Sequence, residues 1–332
     1  LLHNGDIIGE GFHQRYGEPH AEINALDSAA NIPSDTTLVC TLEPCSHHGK
    51  TPPCTDAIIA AGIKHVVVGT IDPFTEVRGR GIARLHDAGV RVDVGIREEE
   101  CSWMNRFFLH AITKQTPYTI IKIAQSLDGC VATHSGESQW ISGHAGREEV
   151  HRLRSQVDAI CVGSGTVHRE DPQLTARGDG YAQPRPVVLD KELSVAVKSR
   201  VFKHPQAAIV ICSHGHTQTV KADELRSLGV NVHGCDLDAS GALSLKGIKH
   251  ILFTEYAVQS LLVEAGPTLA SSMVKQNVLD ELHVYTAPII LGNGRRAFEG
   301  VQVNALADAS RYSLRSVQRF DEDVRMILTK KA

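Results

Sequence analysis

The sequence predicts a two-domain α/β protein, and three observations carry that expectation. Its 332 residues exceed what one hydrophobic core usually serves. Short apolar runs alternate with segments of helical period along the whole chain. An acidic helical stretch opening at Glu98-Glu99-Glu100 and running to about Lys114 is ended by Pro117. The boundary therefore falls there, with domains expected over 1–114 and 115–332. A hydrophobic fraction of 42% against 22% charged residues is enough to fill two cores.

In the first domain, Asn4-Gly5 is a strong two-residue hairpin signal, and Asp6 to Phe12 reads as the returning strand. A turn so early leaves almost no partner strand, so a fragment lacking its first elements is expected. Pro19 to Asn31 has helical spacing at Ile23, Leu26, Ala29 and Ala30. Thr37 to Thr41 is a short buried strand. Thr55 to Ala61 is a helix stopped by Gly62, and His65 to Gly69 is a strand. Gly79 to Ala88 is helical and Val90 to Val94 extended.

From Tyr118 a second series begins. Strands are expected at 118–124, 159–162, 186–189, 208–212, 230–233, 260–264 and 282–291, and helices at 143–156, 221–228 and 268–276. A closing hairpin, 312–320 with 323–328, alternates as antiparallel strands do.

Composition excludes several functions. A net charge of -4 without a basic stripe argues against nucleic acid as the principal ligand. No run of about 18 apolar residues is present, so no membrane span is expected. Eight cysteines without a secretory segment read as free thiols of a reducing compartment, which places the chain in the cytoplasm.

Chemistry concentrates first in three short segments. His20-Ala21-Glu22 opens a helix, Pro44-Cys45 follows a strand, and Cys54 opens the next helix after Pro52-Pro53. His-x-Glu alone is an ordinary surface pair, and two cysteines nine apart can be core thiols. Together, a His and a Cys at helix starts, where thiolates are favoured, and a Cys at a strand end suit a catalytic Zn²⁺ whose fourth position holds water. Glu22 sits close enough to handle that water's proton without binding metal. The pattern is that of zinc deaminases, with eight residues between the cysteines in place of two. His47 and His48 are expected to line the substrate pocket or face solvent. Cys40, Cys161 and Cys212 are expected in the core.

The runs PHAEINAL, TLEPCSHHGKTPPCTDAIIAAG and GRGIARLHDAG resemble the deaminase half of the bifunctional riboflavin-biosynthesis deaminase/reductase family, from Gly5 to about Lys114. The resemblance implies a cytidine-deaminase-like α/β/α domain with one zinc on His20, Cys45 and Cys54, and Glu22 as catalytic proton shuttle. The family's first helix and strand, with an Asn-Pro segment that helps hold substrate, have no counterpart here. Phe74 stands where the family usually has Asn after Asp-Pro.

The second domain signals more softly. Gly163-Ser164-Gly165-Thr166 follows a strand, but His168 takes the last Gly position of a dinucleotide fingerprint. Val263-Glu264-Ala265-Gly266-Pro267-Thr268 brings a strand end to a helix start, a ready anion site. Ile290 to Arg296 is a flexible basic loop, either a solvated turn or a ligand contact. Trp140, in a polar stretch, can stack on a planar ligand or plug the core. Arg152, Arg154 and the run from Gly165 to Arg177 supply cations suited to phosphate.

In order, K-x-A-x-S-L-D-G, G-E-S-x-W-I, R-x-x-x-D-A-I-x-V-G, D-x-P-x-L-T-x-R and V-E-A-G-P-T resemble the reductase half of the same family, a dihydrofolate-reductase-like α/β domain using NADPH, over about 117–330. That implies cofactor contacts at Ala124, Trp140, Thr166, Glu170 and the turn Gly266, Pro267, Thr268, Leu269, Ala270, Ser271 and Ser272. Substrate contacts are implied at Ser138, Arg154, Leu174, Arg177 and Glu264. Cys130 replaces the family's usual Lys or Arg after Leu-Asp-Gly.

The expected function is two steps of riboflavin biosynthesis. The first is zinc-dependent deamination of a diaminopyrimidinone ribosyl phosphate, and the second is NADPH-dependent reduction of the ribosyl group to ribityl. The expected assembly is a homo-oligomer acting on a small molecule, without nucleic acid or membrane. The alternative is a reductase whose deaminase half is inactive. A nucleic-acid deaminase would need a basic stripe, and a zinc-stabilised binding module would need a fourth ligand.

Overall fold

Asn4 and Gly5 both turn with positive φ, 51° and 89°. That left-handed pair is what a type I′ turn needs to join two antiparallel strands. The strands are β1 (Leu2–His3) and β2 (Asp6–Ile7), and β1 also pairs with β3 (Thr37–Leu42). The returning strand expected to reach Phe12 stops at Ile7. Beyond it the chain runs along α1 (Ala21–Ser28): Glu10 N–H donates to Ser28 Oγ (2.9 Å), and Asn24 Nδ2 donates to Phe12 O (2.8 Å). Its hydrogen bonds go to a helix, not to a strand.

This computed structural model describes residues 1–15, 17–75 and 77–331. Its contacts divide it into two units, Leu1–Gln115 and Thr116–Ala332. The first unit continues with α2 (Cys54–Ala60), β4 (His65–Thr70), α3 (Arg80–Asp87), β5 (Arg91–Val94), α4 (Glu98–Met104) and α5 (Arg106–Lys114). The sheet order is β2-β1-β3-β4-β5, with β3, β4 and β5 parallel. Leu38, Val66 and Val68 of the sheet pack with Ile58 and Leu85 of the helices. The one helix expected over 98–114 is two. Asn105 leaves the helical ψ (φ -92°, ψ 10°), and its side chain donates to Cys101 O.

The second unit contains β6 (Tyr118–Ser126), β7 (Cys130–Ala132), α6 (His144–Arg154), β8 (Ala159–Gly163), α7 (Ser164–Glu170), β9 (Arg185–Leu189), β10 (Ile209–Ser213), α8 (Val220–Ser227), β11 (Asn231–Cys235), α9 (Leu245–Tyr256), β12 (Ser260–Glu264), α10 (Pro267–Lys275), β13 (Glu281–Ala287), β14 (Arg295–Arg296), β15 (Tyr312–Phe320) and β16 (Asp323–Lys330). Nine strands form one sheet in the order β11-β10-β9-β8-β12-β6-β13-β16-β15. The first seven are parallel, and the closing hairpin is antiparallel. The apolar runs of β6, β8 and β12 are buried almost throughout, as parallel strands covered on both faces must be. β13 ends at Ala287, short of the expected Leu291, because Pro288 has no N–H for the ladder. The ends of β8 and β12 deliver α7 and α10, which places their first turns side by side at one wall of a cavity.

On the other side of that cavity α6 is held by buried charge. Asp323 accepts from Gly143 N–H (2.7 Å), at the start of α6. Glu149 is gripped by Arg152 and by buried Arg325 of β16. Among the described residues no helix is long and apolar enough to cross a membrane.

Candidate active sites

In the first unit, His20 stands at the N-cap of α1, Cys45 just past the end of β3, and Cys54 is the first residue of α2. Their ligand atoms all lie within 4.8 Å of one another, the one such group among the described residues. His20 Nδ1 is 3.5 Å from Cys45 Sγ and 3.3 Å from Cys54 Sγ. The Cys54 N–H, an amide that a helix start leaves without an intrahelical partner, donates to Cys45 Sγ (3.3 Å). One imidazole nitrogen and two sulfurs converging from three elements fit zinc's preferred donors and leave a fourth position open. The Cys54 thiol hydrogen-bonds to Cys45 and, with His20 and the Cys54 amide, pulls the Cys45 thiol down to about 4. Cys54, holding the shared proton against that thiolate, is pushed up. Glu22 is raised chiefly by burial, with the charge of Cys45 adding to it. Such a carboxyl can hold a proton beside the metal donors.

A support that the sequence did not disclose is Glu43, two residues before Cys45. Buried at 3% exposure, its carboxylate accepts from the N–H groups of Asp72, Gly79, Gly81 and Ile82 at 3.0–3.4 Å. It thereby caps α3 and ties the Asp72 loop to the end of β3. Gly81 comes so close to that end that a Cβ there would lie 2.0 Å from Pro44 O. Beside the donors, the His47 ring is 6.0 Å from the Phe74 ring, with its Nδ1 buried and unpartnered. Asp72 accepts from Phe74 N–H, and burial raises its carboxyl. His48 is exposed.

The second unit holds a cavity of about 750 Å³, ample for a ligand of drug size or larger. Ala124, Ser138, Trp140, Arg154, Thr166, Glu170, Leu174, Arg177, Glu264, Gly266 and Pro267 all line it. The five residues that follow do not. Thr268 is exposed, Leu269 and Ala270 pack in the core, and Ser271 Oγ accepts from Gly300 N–H. Ser272 Oγ donates to Thr268 O along α10. The wall is the start of the helix rather than its first two turns. Trp140 is 69% exposed with the Arg147 guanidinium over its ring at 4.8 Å, so it is a surface for stacking and not a core plug.

Charges in the cavity are arranged in pairs and singles. Arg154 grips Glu264 with both arms (2.6 and 2.9 Å) and donates a third bond to Thr175 O. Burial alone would raise the Glu264 carboxyl, but Arg154 overrides it and, with Lys122, holds it at about 2. Lys122 is lowered by burial, partly offset by Glu264. Glu170 accepts from Ser138 Oγ and Gln139 Nε2. Lys122, His151, Arg169, Arg200 and Arg295 also line the cavity. Sequence reasoning reached Arg169 only within the cation-bearing run from Gly165 to Arg177 and Arg295 only within the basic Ile290–Arg296 loop, and it gave Lys122, His151 and Arg200 no role.

Comparison with known proteins matches both units. A family model for the RibD C-terminal domain covers residues 117–326, and one for the cytidine and deoxycytidylate deaminase zinc-binding region covers 1–70. The riboflavin biosynthesis protein RibD of Aquifex aeolicus is 38% identical over 329 residues, spanning 98% of this chain and 89% of that protein. The same protein of Escherichia coli is 37% identical over 346 residues, 98% and 90%. Among solved structures, Acinetobacter baumannii RibD superposes with a TM-score of 0.85 at 34% identity, covering 99% of this chain and 90% of that one. A Thermotoga maritima diaminohydroxyphosphoribosylaminopyrimidine deaminase/5-amino-6-(5-phosphoribosylamino)uracil reductase gives 0.86 at 33% identity, with the same coverage.

Proposed function

The chain belongs to the RibD family of riboflavin-biosynthesis proteins, and from that membership we propose how its residues carry the two steps. It is a bifunctional deaminase and reductase. The first step replaces the amine of a diaminopyrimidinone ribosyl phosphate by oxygen, and the second reduces the ribosyl group to ribityl. One observation carries the reading: His20, Cys45 and Cys54 converge within 4.8 Å beside Glu22, and among the described residues no fourth protein ligand closes the group.

His20, Cys45 and Cys54 would hold the zinc, which when bound would supply a water acidic enough for hydrolysis at neutral pH. Glu22, raised by burial, would hold and move the proton exchanged between the attacking water and the leaving amine. His47, Asp72 and Phe74 frame the pyrimidine. Glu43 acts through the backbone, keeping the Cys45 segment and the Asp72 loop in register.

In the reductase domain, for which we take 115–332, the cavity would hold NADPH, which when bound would supply hydride for the ribosyl carbon beside the amine. Ala124, Trp140, Thr166, Glu170, Gly266 and Pro267 would form its bed. Ser138, Arg154, Leu174, Arg177 and Glu264 take the ribosyl phosphate. Arg154, locked to Glu264, is a rigid donor and not a free cation. Arg177 has no ion-pair partner among the described residues and is the better phosphate ligand. Positioning supplies most of the rate in this half. Eight unpaired thiols suit the cytoplasm, and a homo-oligomer is the assembly to look for by light scattering.

Ammonia release and NADPH oxidation from the diamino substrate test the proposal together. Glu22→Gln is expected to cut ammonia release by 10²-fold or more while leaving oxidation of NADPH with deaminated substrate at the wild-type rate. NADPH consumption only with deaminated substrate, in the wild type itself, would leave a reductase alone.

A further inference from the structure

We infer that Arg169 clamps the diphosphate bridge of the dinucleotide. The inference rests on the reading that the large cavity takes NADPH. Arg169 lies one turn along α7 from Gly165 and Thr166, on the cavity wall. Its guanidinium folds back over the start of its own helix and across to that of α10. Nη2 is 3.9 Å from where a Cβ on Gly165 would stand and 3.7 Å from where one on Gly266 would stand. Thr166 Oγ1 is 4.0 Å from the second position. Two glycines from neighbouring strand ends, a hydroxyl and a guanidinium thus face one spot. With no side chain at either glycine, a ligand placed there meets backbone on both sides.

No group among the described residues uses that guanidinium. Among the described residues Arg169 has no hydrogen-bond or ion-pair partner. The nearby carboxylates are committed elsewhere, Glu170 to Ser138 and Gln139, and Glu264 to Arg154. Arg147, by contrast, already donates to Ser142 O and lies over Trp140. A guanidinium set against helix starts is placed against the local dipole, an arrangement that a bound anion reverses. A bridge flanked by backbone on two sides fits the spot better than the terminal 2′-phosphate, which would enter from one side only.

Calorimetric titration of NADP⁺, NAD⁺ and adenosine 2′,5′-bisphosphate into the wild type, Arg169→Ala and Arg169→Lys separates the possibilities. The bisphosphate carries the 2′-phosphate but no diphosphate. Arg169→Ala is expected to weaken both dinucleotides alike, by roughly 10- to 100-fold, the loss of a charge-assisted bidentate contact. The bisphosphate should bind it as it binds the wild type, and Arg169→Lys should recover part of the loss. Unchanged dinucleotide affinity overturns the inference. A loss shared by NADP⁺ and the bisphosphate but not NAD⁺ also overturns it, in favour of the 2′-phosphate. A wild type that binds none of the three overturns the reading of the cavity, a failure visible before any substitution. A calorimetric transition of the second unit at its wild-type midpoint checks that each variant is folded.

Discussion

Glu264 and Arg154 face each other at 18% and 13% side-chain exposure, so their charges meet where water screens little. The Glu264 carboxyl lies at about 2, below its usual value near 4.5, because Arg154 outweighs burial. A carboxyl depressed on folding adds stability above its unfolded pKa and loses it as pH falls through the folded value. The pair therefore contributes fully above about pH 4.5 and fades toward pH 2. Glu264→Gln leaves a buried guanidinium half-paired and is expected to cost about 3 kcal/mol at pH 7. Urea unfolding repeated down the pH scale should show that difference shrinking below pH 4.5. A difference constant from pH 7 to pH 2.5 would mean that the pair is not what holds the carboxyl down. At this scale legibility followed residue type. His20, Cys45 and Cys54 could be read because few roles call for a histidine and a cysteine at helix starts with a second cysteine at a strand end. Glu43 could not, since a carboxylate after a strand looks like a solvated loop until four amides are seen around it.

Elements were legible where one period ran unbroken. β12 and β15 fall on their expected residues. α9 escaped notice although Leu245, Ile248 and Leu252 form a helical stripe, because Gly247 and Lys249 interrupt it. Yet Lys249 is buried too, its ammonium reaching Val278 O and Asp280. β7 and β14 are too short to carry a pattern, and they exist because they pair with each other. The contact between elements that matters most for the metal donors is also silent in sequence. Gly81, in the first turn of α3, touches Pro44, and Pro44 precedes Cys45. Gly81→Ala would force a methyl to within 2.0 Å of the Pro44 carbonyl, a backbone atom with no rotamer to yield. Either α3 or the end of β3 must move. The expected result is a loss of about 2–3 kcal/mol from the first unit and zinc affinity at least tenfold weaker, read by chelator competition. Wild-type zinc affinity in a destabilised variant would show that the strain is taken up by α3 alone.

The two units carry separate sheets and separate cores, Leu38 and Ile58 at the centre of one, Ile121 and Val263 of the other. All three metal donors belong to the first unit. Without metal, that unit must bury two sulfurs and an imidazole sharing protons, so zinc binding adds directly to its folding free energy and to nothing else. A ligand present at a hundred times its dissociation constant contributes about 2.7 kcal/mol. For a unit of this size that shifts the unfolding midpoint by roughly 10 °C. Removing zinc with a chelator should therefore lower one calorimetric transition by about that much and abolish ammonia release. A second transition should stay in place, and NADPH oxidation with deaminated substrate should be unchanged. Restoring zinc should return the first transition and the deaminase together. Loss of the reductase with the metal would mean that the second unit depends on the first for its own fold, against the division of sheets, cores and ligands seen here.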